Sequence, residues 1–149
     1  MEPGKLELAR ELGASLALDP ASLPGVAATL PGSGLDHVLE CIGLPSTVEL
    51  ALRAVRAGGM VTLVGMTEMG VHAQVDVYRF LEGGIRLQGS NYGSSIPARD
   101  FPAIAADALA GRLPLDRLIA EQVGLERIDT AFEAMRQRSG GRRIVSFPG

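Results

Sequence analysis

Three short strand-like runs, each closed by a glycine, constrain this chain more than anything else in it. Leu35–Ile42, Met60–Val64 and Ile85–Gln88 read as β-strands and stop at Gly43, Gly65 and Gly89. A helix is expected in each interval. The first begins at Ser46-Thr47-Val48-Glu49, which fits the capping box, a reciprocal pairing of side chains with free backbone N–H groups. Val48, Ala51, Leu52 and Val55 follow at helical spacing, and Gly58-Gly59 is the expected stop. The second is expected over Val75–Leu81. Apolar runs without alternation suit strands buried on both faces. Strand, helix, strand with short connections is the right-handed parallel crossover. The class is therefore α/β, with half of a doubly wound parallel sheet.

The flanks read less regularly. Lys5–Leu12 is expected to be a helix ended by Gly13, Ser15–Leu18 a short strand, and Leu23–Leu30 a weak helix. Beyond Tyr92 the alternation stops. Phe101, Ile104, Ala105, Ala108 and Leu109 mark a helix capped by Asp100, Leu118–Val123 a strand, Ile128, Ala131, Phe132 and Met135 another helix, and Arg143–Phe147 a last strand. Residues 1–91 thus read as the sheet domain and 92–149 as an α+β segment.

With 149 residues and 46% hydrophobic content there is room for a real core. Aromatics are 4% and tryptophan is absent, so that core must be aliphatic. The net charge is −3 and no five like charges adjoin, which argues against nucleic acid or an anionic membrane as partner. Arg136, Arg138, Arg142 and Arg143 form the most basic stretch and read first as a solvated helix end. No apolar run follows Met1-Glu2-Pro3-Gly4-Lys5, so no signal peptide is expected, and no stretch reaches the length of a membrane span. A cytoplasmic chain is the expectation, and the single Cys41 leaves no intramolecular disulfide.

In open α/β sheets ligands bind beyond the carboxyl ends of the strands. Those ends are Cys41-Ile42-Gly43, Val64-Gly65-Met66 and Gly89-Ser90-Asn91-Tyr92-Gly93. Glycine there either admits a flat ring or a ribose to the backbone or simply turns the chain, and both readings stand. GxGxxG and GxxxxGK[ST] are both absent. His37, Cys41 and His72 have no metal-ligand spacing, and Ser46 sits in no GxSxG elbow. Neither a metal ligand set nor a catalytic residue is expected within the chain.

The ordered set of segments resembles the zinc-type, medium-chain alcohol dehydrogenase family. Lys5-Leu6-Glu7-Leu8-Ala9-Arg10-Glu11-Leu12-Gly13-Ala14 is similar to the helix after that family's second nucleotide-binding strand. Gly34-Leu35-Asp36-His37-Val38-Leu39-Glu40-Cys41-Ile42-Gly43 resembles its fourth strand, written GxDxxxExxG. Gly58 to Gly65 and Ile85 to Ser90 resemble the fifth and sixth, and Gly141-Arg142-Arg143-Ile144-Val145 the closing strand. The resemblance implies a partial Rossmann-type sheet lacking its first two strands, and a segment from residue 92 that rejoins a catalytic domain. The zinc ligands, the proton relay, GxGxxG and the ribose-gripping acid would all precede Met1. NAD versus NADP is therefore not readable, and the chain alone is expected to be inactive.

Carried over to this sequence, the resemblance implies a cofactor site. Lys5 would lie near the adenosine ribose, and Ile42 and Gly43 would line the adenine and ribose side. Val64, Gly65 and Met66, with Ser90 and Tyr92, would meet the nicotinamide carboxamide, and Arg142 the pyrophosphate. The substrate of the intact enzyme would be a small alcohol or aldehyde. A homodimer would form through Ile85–Gln88, whose edge no proline or lysine guards. The alternatives are a truncated non-catalytic remnant or dimerisation module, and another Rossmann-type nucleotide-binding domain such as a methyltransferase.

Overall fold

The computed structural model of the chain describes residues 3–137 and 140–147. It comprises two compact units, Leu18–Ser95 and Met1–Ala17 with Ile96–Gly149. The N-terminal helix thus groups with the C-terminal segment, whereas the sequence alone places it with the sheet.

The unit Leu18–Ser95 holds a three-stranded parallel sheet in the order β1 (Leu35–Glu40), β2 (Val55–Leu63), β3 (Arg86–Gly89). This is the predicted set of adjacent strands. Helix α3 (Pro45–Ala54) follows β1 and packs on it, and α4 (Val77–Glu82) precedes β3. Ala51 and Leu52 of α3 meet Val55, Val61 and Ile85 in an aliphatic core, with Val38, Val48, Leu63 and Phe80 packed against it.

Several local expectations are corrected. The capping box at Ser46 does not form: α3 starts at Pro45, whose fixed φ suits the first helical turn. Thr47 Oγ1 instead accepts from the N-cap Leu44 N–H at 3.3 Å, and the Glu49 carboxylate accepts from Gln74 N–H at 3.0 Å. Val55 belongs to β2 rather than to the helix, which ends before Gly58-Gly59. Arg79 of α4 explains this. Its guanidinium donates to the carbonyls of Leu52, Arg53 (3.1 Å) and Val55 (2.7 Å), carbonyls at and just past the helix end. A partner more than twenty residues away is invisible to helical periodicity.

Preceding β1 is α2 (Leu23–Thr29), close to its expected span. Ser15–Leu18 is not a strand. A strand needs a partner ladder, and among the described residues β1 pairs with β2 alone.

The other unit contains α1 (Pro3–Glu11), α5 (Pro97–Leu109), α6 (Ile128–Arg136) and a parallel pair, β4 (Ile119–Gly124) with β5 (Arg142–Ser146). Helix α5 begins three residues before the expected cap. Asp100 lies inside its first turns and its carboxylate reaches back to accept from Ile96 N–H at 2.7 Å. Val123 and Ala131 are the buried apolar contributions of β4 and α6. The basic stretch is not one helix end. Arg136 closes α6 beside Glu133, Arg142 and Arg143 lie in β5, and Arg138 falls outside the described residues.

Candidate functional site

The carboxyl ends of β1, β2 and β3 come together, as a parallel sheet requires. Glu40 closes β1 and is buried, with only 4% of its surface exposed. Its carboxylate accepts from Ile42 N–H at 2.8 Å, from Gly43 N–H at 2.9 and 3.1 Å, and from the Thr47 hydroxyl at 2.7 Å. Burial alone would push this carboxyl up. The Thr47 hydroxyl and the Gly43 and Ile42 amides overcome that and hold it below the ordinary glutamate value of 4.5. Its main-chain carbonyl accepts from Val64 N–H at 2.7 Å and Gly65 N–H at 2.9 Å. One residue thus ties the turns after β1 and β2 together.

The two glycines of these turns meet backbone to backbone. A Cβ on Gly65 would lie against Gly43 N, and 2.5 and 2.6 Å from Ile42 N and C. A Cβ on Gly43, whose φ is +85°, would lie 2.6 Å from Met66 C. Packing of one turn against the other, which neither sequence reading named, leaves no room for a Cβ at either position. Gly89 differs, since nothing lies within 4 Å of a Cβ placed there.

Between the ends of β2 and β3 lies an open cleft of about 580 Å³, lined by Leu63, Val64, Gly65, Met66, Thr67, Ser90, Asn91 and Tyr92. Five of the sequence-proposed residues (Val64, Gly65, Met66, Ser90 and Tyr92) therefore line one cleft. The side chains of Met66 and Tyr92 are 85% and 83% exposed, so they are free to cover a flat ligand. Ser90 N–H donates to Leu63 O at 2.8 Å and holds the two strand ends together. Tyr92, Gly93 and Ser94 are all left-handed, with φ of +52°, +64° and +57°. For a bulky residue such as Tyr92 that is strained backbone, a feature that collects at ligand sites.

Ile42 and Gly43 border this cleft through the Gly43–Gly65 contact, with Gly43 buried and Ile42 59% exposed. Lys5, on α1, and Arg142, the first residue of β5, belong to the other unit, and both are exposed. The sequence reading gave Glu40, Thr67 and Asn91 no role. Glu40 had a signal, a carboxylate directly after the apolar pair Val38-Leu39 and three residues before a glycine. Among the described residues, no three His, Cys, Asp or Glu side chains gather into a set able to hold a metal ion. No helix among them is long and apolar enough to cross a membrane.

A parallel α/β sheet with an open cleft at its strand ends is the architecture of a partial Rossmann-type fold. Comparison with known proteins narrows it. The profile of the family described as "Zinc-binding dehydrogenase" matches residues 1–111. The chain belongs to this family, the zinc-type alcohol dehydrogenases. It is 25% identical over 150 aligned positions to the S-(hydroxymethyl)glutathione dehydrogenase of Haemophilus influenzae, covering 97% of this chain and 39% of that protein. Its fold is similar to the crystal structure of an alcohol dehydrogenase zinc-binding domain protein from Burkholderia ambifaria (TM-score 0.91, 31% identity, covering 99% of this chain and 40% of that one). It also resembles a zinc-binding dehydrogenase from Sinorhizobium meliloti bound to NADP (TM-score 0.76, 26% identity, 97% and 42% covered). The chain spans about two fifths of the length of these relatives.

Proposed function

We propose that the chain is the C-terminal, cofactor-binding part of an NAD(P)-dependent zinc-type alcohol dehydrogenase. The observation that carries this reading is the cleft at the ends of β2 and β3, lined by the five residues that the family resemblance assigns to the nicotinamide side. The NADP-bound relative supports it. Such a ring would lie against Val64–Met66 and under the exposed Tyr92 side chain. The backbone of Gly65 and Ser90 would set the ring's distance from the sheet, while Ile42 and Gly43 would border the adenine and ribose side. Lys5 is assigned to the ribose and Arg142 to the pyrophosphate. Residues 1–91 form the cofactor domain in this reading, and 92–149 the return toward a catalytic domain.

Bound there, the nicotinamide supplies a hydride acceptor for oxidation of a small alcohol to an aldehyde. The residues described offer no zinc ligand set, so no step through zinc is assigned to them. By itself this polypeptide should hold no stoichiometric zinc and oxidise no alcohol. Metal analysis and an NADH absorbance assay with primary alcohols check this, and one tightly held zinc or turnover above background contradicts it. Charge-assisted hydrogen bonds contribute about 1.5–3 kcal/mol each. Without GxGxxG and a ribose-gripping acid, NAD should bind at about millimolar affinity, and more weakly still after Arg142→Ala.

The same chain is proposed to be a homodimer through β3. All four of its residues are exposed, and Val77, Tyr78 and Leu81 of the preceding helix are 65%, 76% and 73% exposed. Ser90 N–H points to β2, so by strand alternation the N–H groups of Leu87 and Gly89 face the open edge. Leu87→Pro should therefore abolish a dimer seen by light scattering, and a micromolar monomer in the wild type contradicts the assignment. A non-catalytic dimerisation module is the second reading, favoured by these exposed apolar side chains. The exposed, unpaired Cys41 fits the reducing cytoplasm as the compartment.

A further inference from the structure

Glu40 is the one buried charged residue among the described residues whose charge is entirely spent on backbone and hydroxyl donors of the strand ends. It bears on both turns that border the cleft. Its carboxylate fixes the N–H groups of Ile42 and Gly43, and its carbonyl fixes those of Val64 and Gly65. Gly43 in turn touches Gly65 and Met66 closely enough that no Cβ fits between them. A shift of the Ile42–Gly43 turn must therefore move Gly65 and Met66, because the contact has no slack. Loss of the carboxylate acceptor would also strand a buried donor, since Gly43 is buried and its N–H donates to Glu40.

We propose that Glu40, held by Thr47, is the positioning residue of the cofactor cleft: it sets the wall formed by Gly65 and Met66 through the turn at Ile42–Gly43. The Thr47 hydroxyl has one proton. It gives that proton to the carboxylate at 2.7 Å, the shorter and charge-assisted bond, while accepting from Leu44 N–H. The carboxylate is thereby anchored to the first turn of α3 as well as to its own strand end. Glu40 does not touch a ligand in the cleft and acts only through the backbone it holds. The inference rests on the cofactor reading given above.

The test is a titration of the full chain with NADH and with NADPH, followed by 15N–1H NMR. Glu40→Gln keeps the side chain's size and removes its charge. Its amides at Ile42 and Gly43 should move upfield, Val61 and Leu87 should keep their positions, and the dissociation constant should rise about tenfold. Leu52→Ala, in the aliphatic core, serves as the control for stability alone. It should lower the melting temperature and leave affinity within about twofold. Thr47→Val should weaken binding about threefold, and Thr47→Ser should restore it. Should Glu40→Gln not fold, the Thr47 pair decides: equal affinities for the Val and Ser variants overturn the proposal. Folded Glu40→Gln with wild-type affinity overturns it too, as does a parallel loss of affinity in Leu52→Ala. Wild-type chain that binds neither dinucleotide is a separate failure, that of the cofactor reading, and takes this one with it.

Discussion

Gly65 and Gly43 pack backbone to backbone, so that a Cβ on Gly65 would lie 2.5 Å from Ile42 N. No flexible side chain can yield there. Gly65→Ala should cost about 1–3 kcal/mol, the usual range for overpacking a rigid contact. Gly89→Ala meets open space and should change stability by less than about 0.5 kcal/mol. Urea unfolding of the two variants checks the contrast, and equal losses would contradict it.

The buried carboxylate makes stability depend on acid in a definite direction. Glu40 is held below 4.5 in the fold by Thr47 and the Gly43 and Ile42 amides, against the cost of burial. Its contribution is therefore fully present above 4.5 and is lost as pH falls through the lower, folded value. Asp100, lowered by Arg99 and by Ile96 N–H, acts in the same direction at an exposed site. Wild type should lose stability below about pH 4.5, and Glu40→Gln should show a shallower loss over that window. Parallel curves for the two proteins would contradict this.

The sheet was legible in the sequence because its determinants are local. Short runs closed by Gly43, Gly65 and Gly89 marked the three strands, and α3 and α4 lie in the two intervals where a helix was expected. What failed had distant causes. The end of α3 depends on Arg79, and the true start of that helix on Pro45 and Thr47 rather than on Ser46 and Glu49. Ser15–Leu18 has no β-branched or aromatic residue and joins no ladder among the described residues. At the site, the strand-end residues Val64, Gly65, Met66, Ser90 and Tyr92 line one cleft. The sequence could not show that Gly43 and Gly65 serve each other, nor that Glu40 holds both turns, since those are contacts between separate strand ends.

Tyr92 carries strain that a stability measurement can reveal. Its φ of +52° is left-handed, which costs an L-residue about 1–2 kcal/mol. Part of that gain is offset by the greater unfolded-state freedom of glycine. Tyr92→Gly should therefore leave the protein as stable or more stable in thermal unfolding, while removing the exposed ring that borders the cleft. NADH binding should weaken in the same variant. A destabilised variant that binds NADH as well as wild type would contradict both halves.

The most direct test of the cofactor cleft is a map of backbone amide shifts as NADH is added to the full chain. The account predicts saturable shifts concentrated at Val64, Gly65, Met66, Ser90 and Tyr92, with an apparent dissociation constant at about the millimolar level. Ile42 and Gly43 should follow, and the pocket between α3 and α4, lined by Glu49, Arg53 and Phe80, should not respond. Shifts confined to that second pocket, or none at the ends of β2 and β3 up to saturating NADH and NADPH, would contradict the assignment.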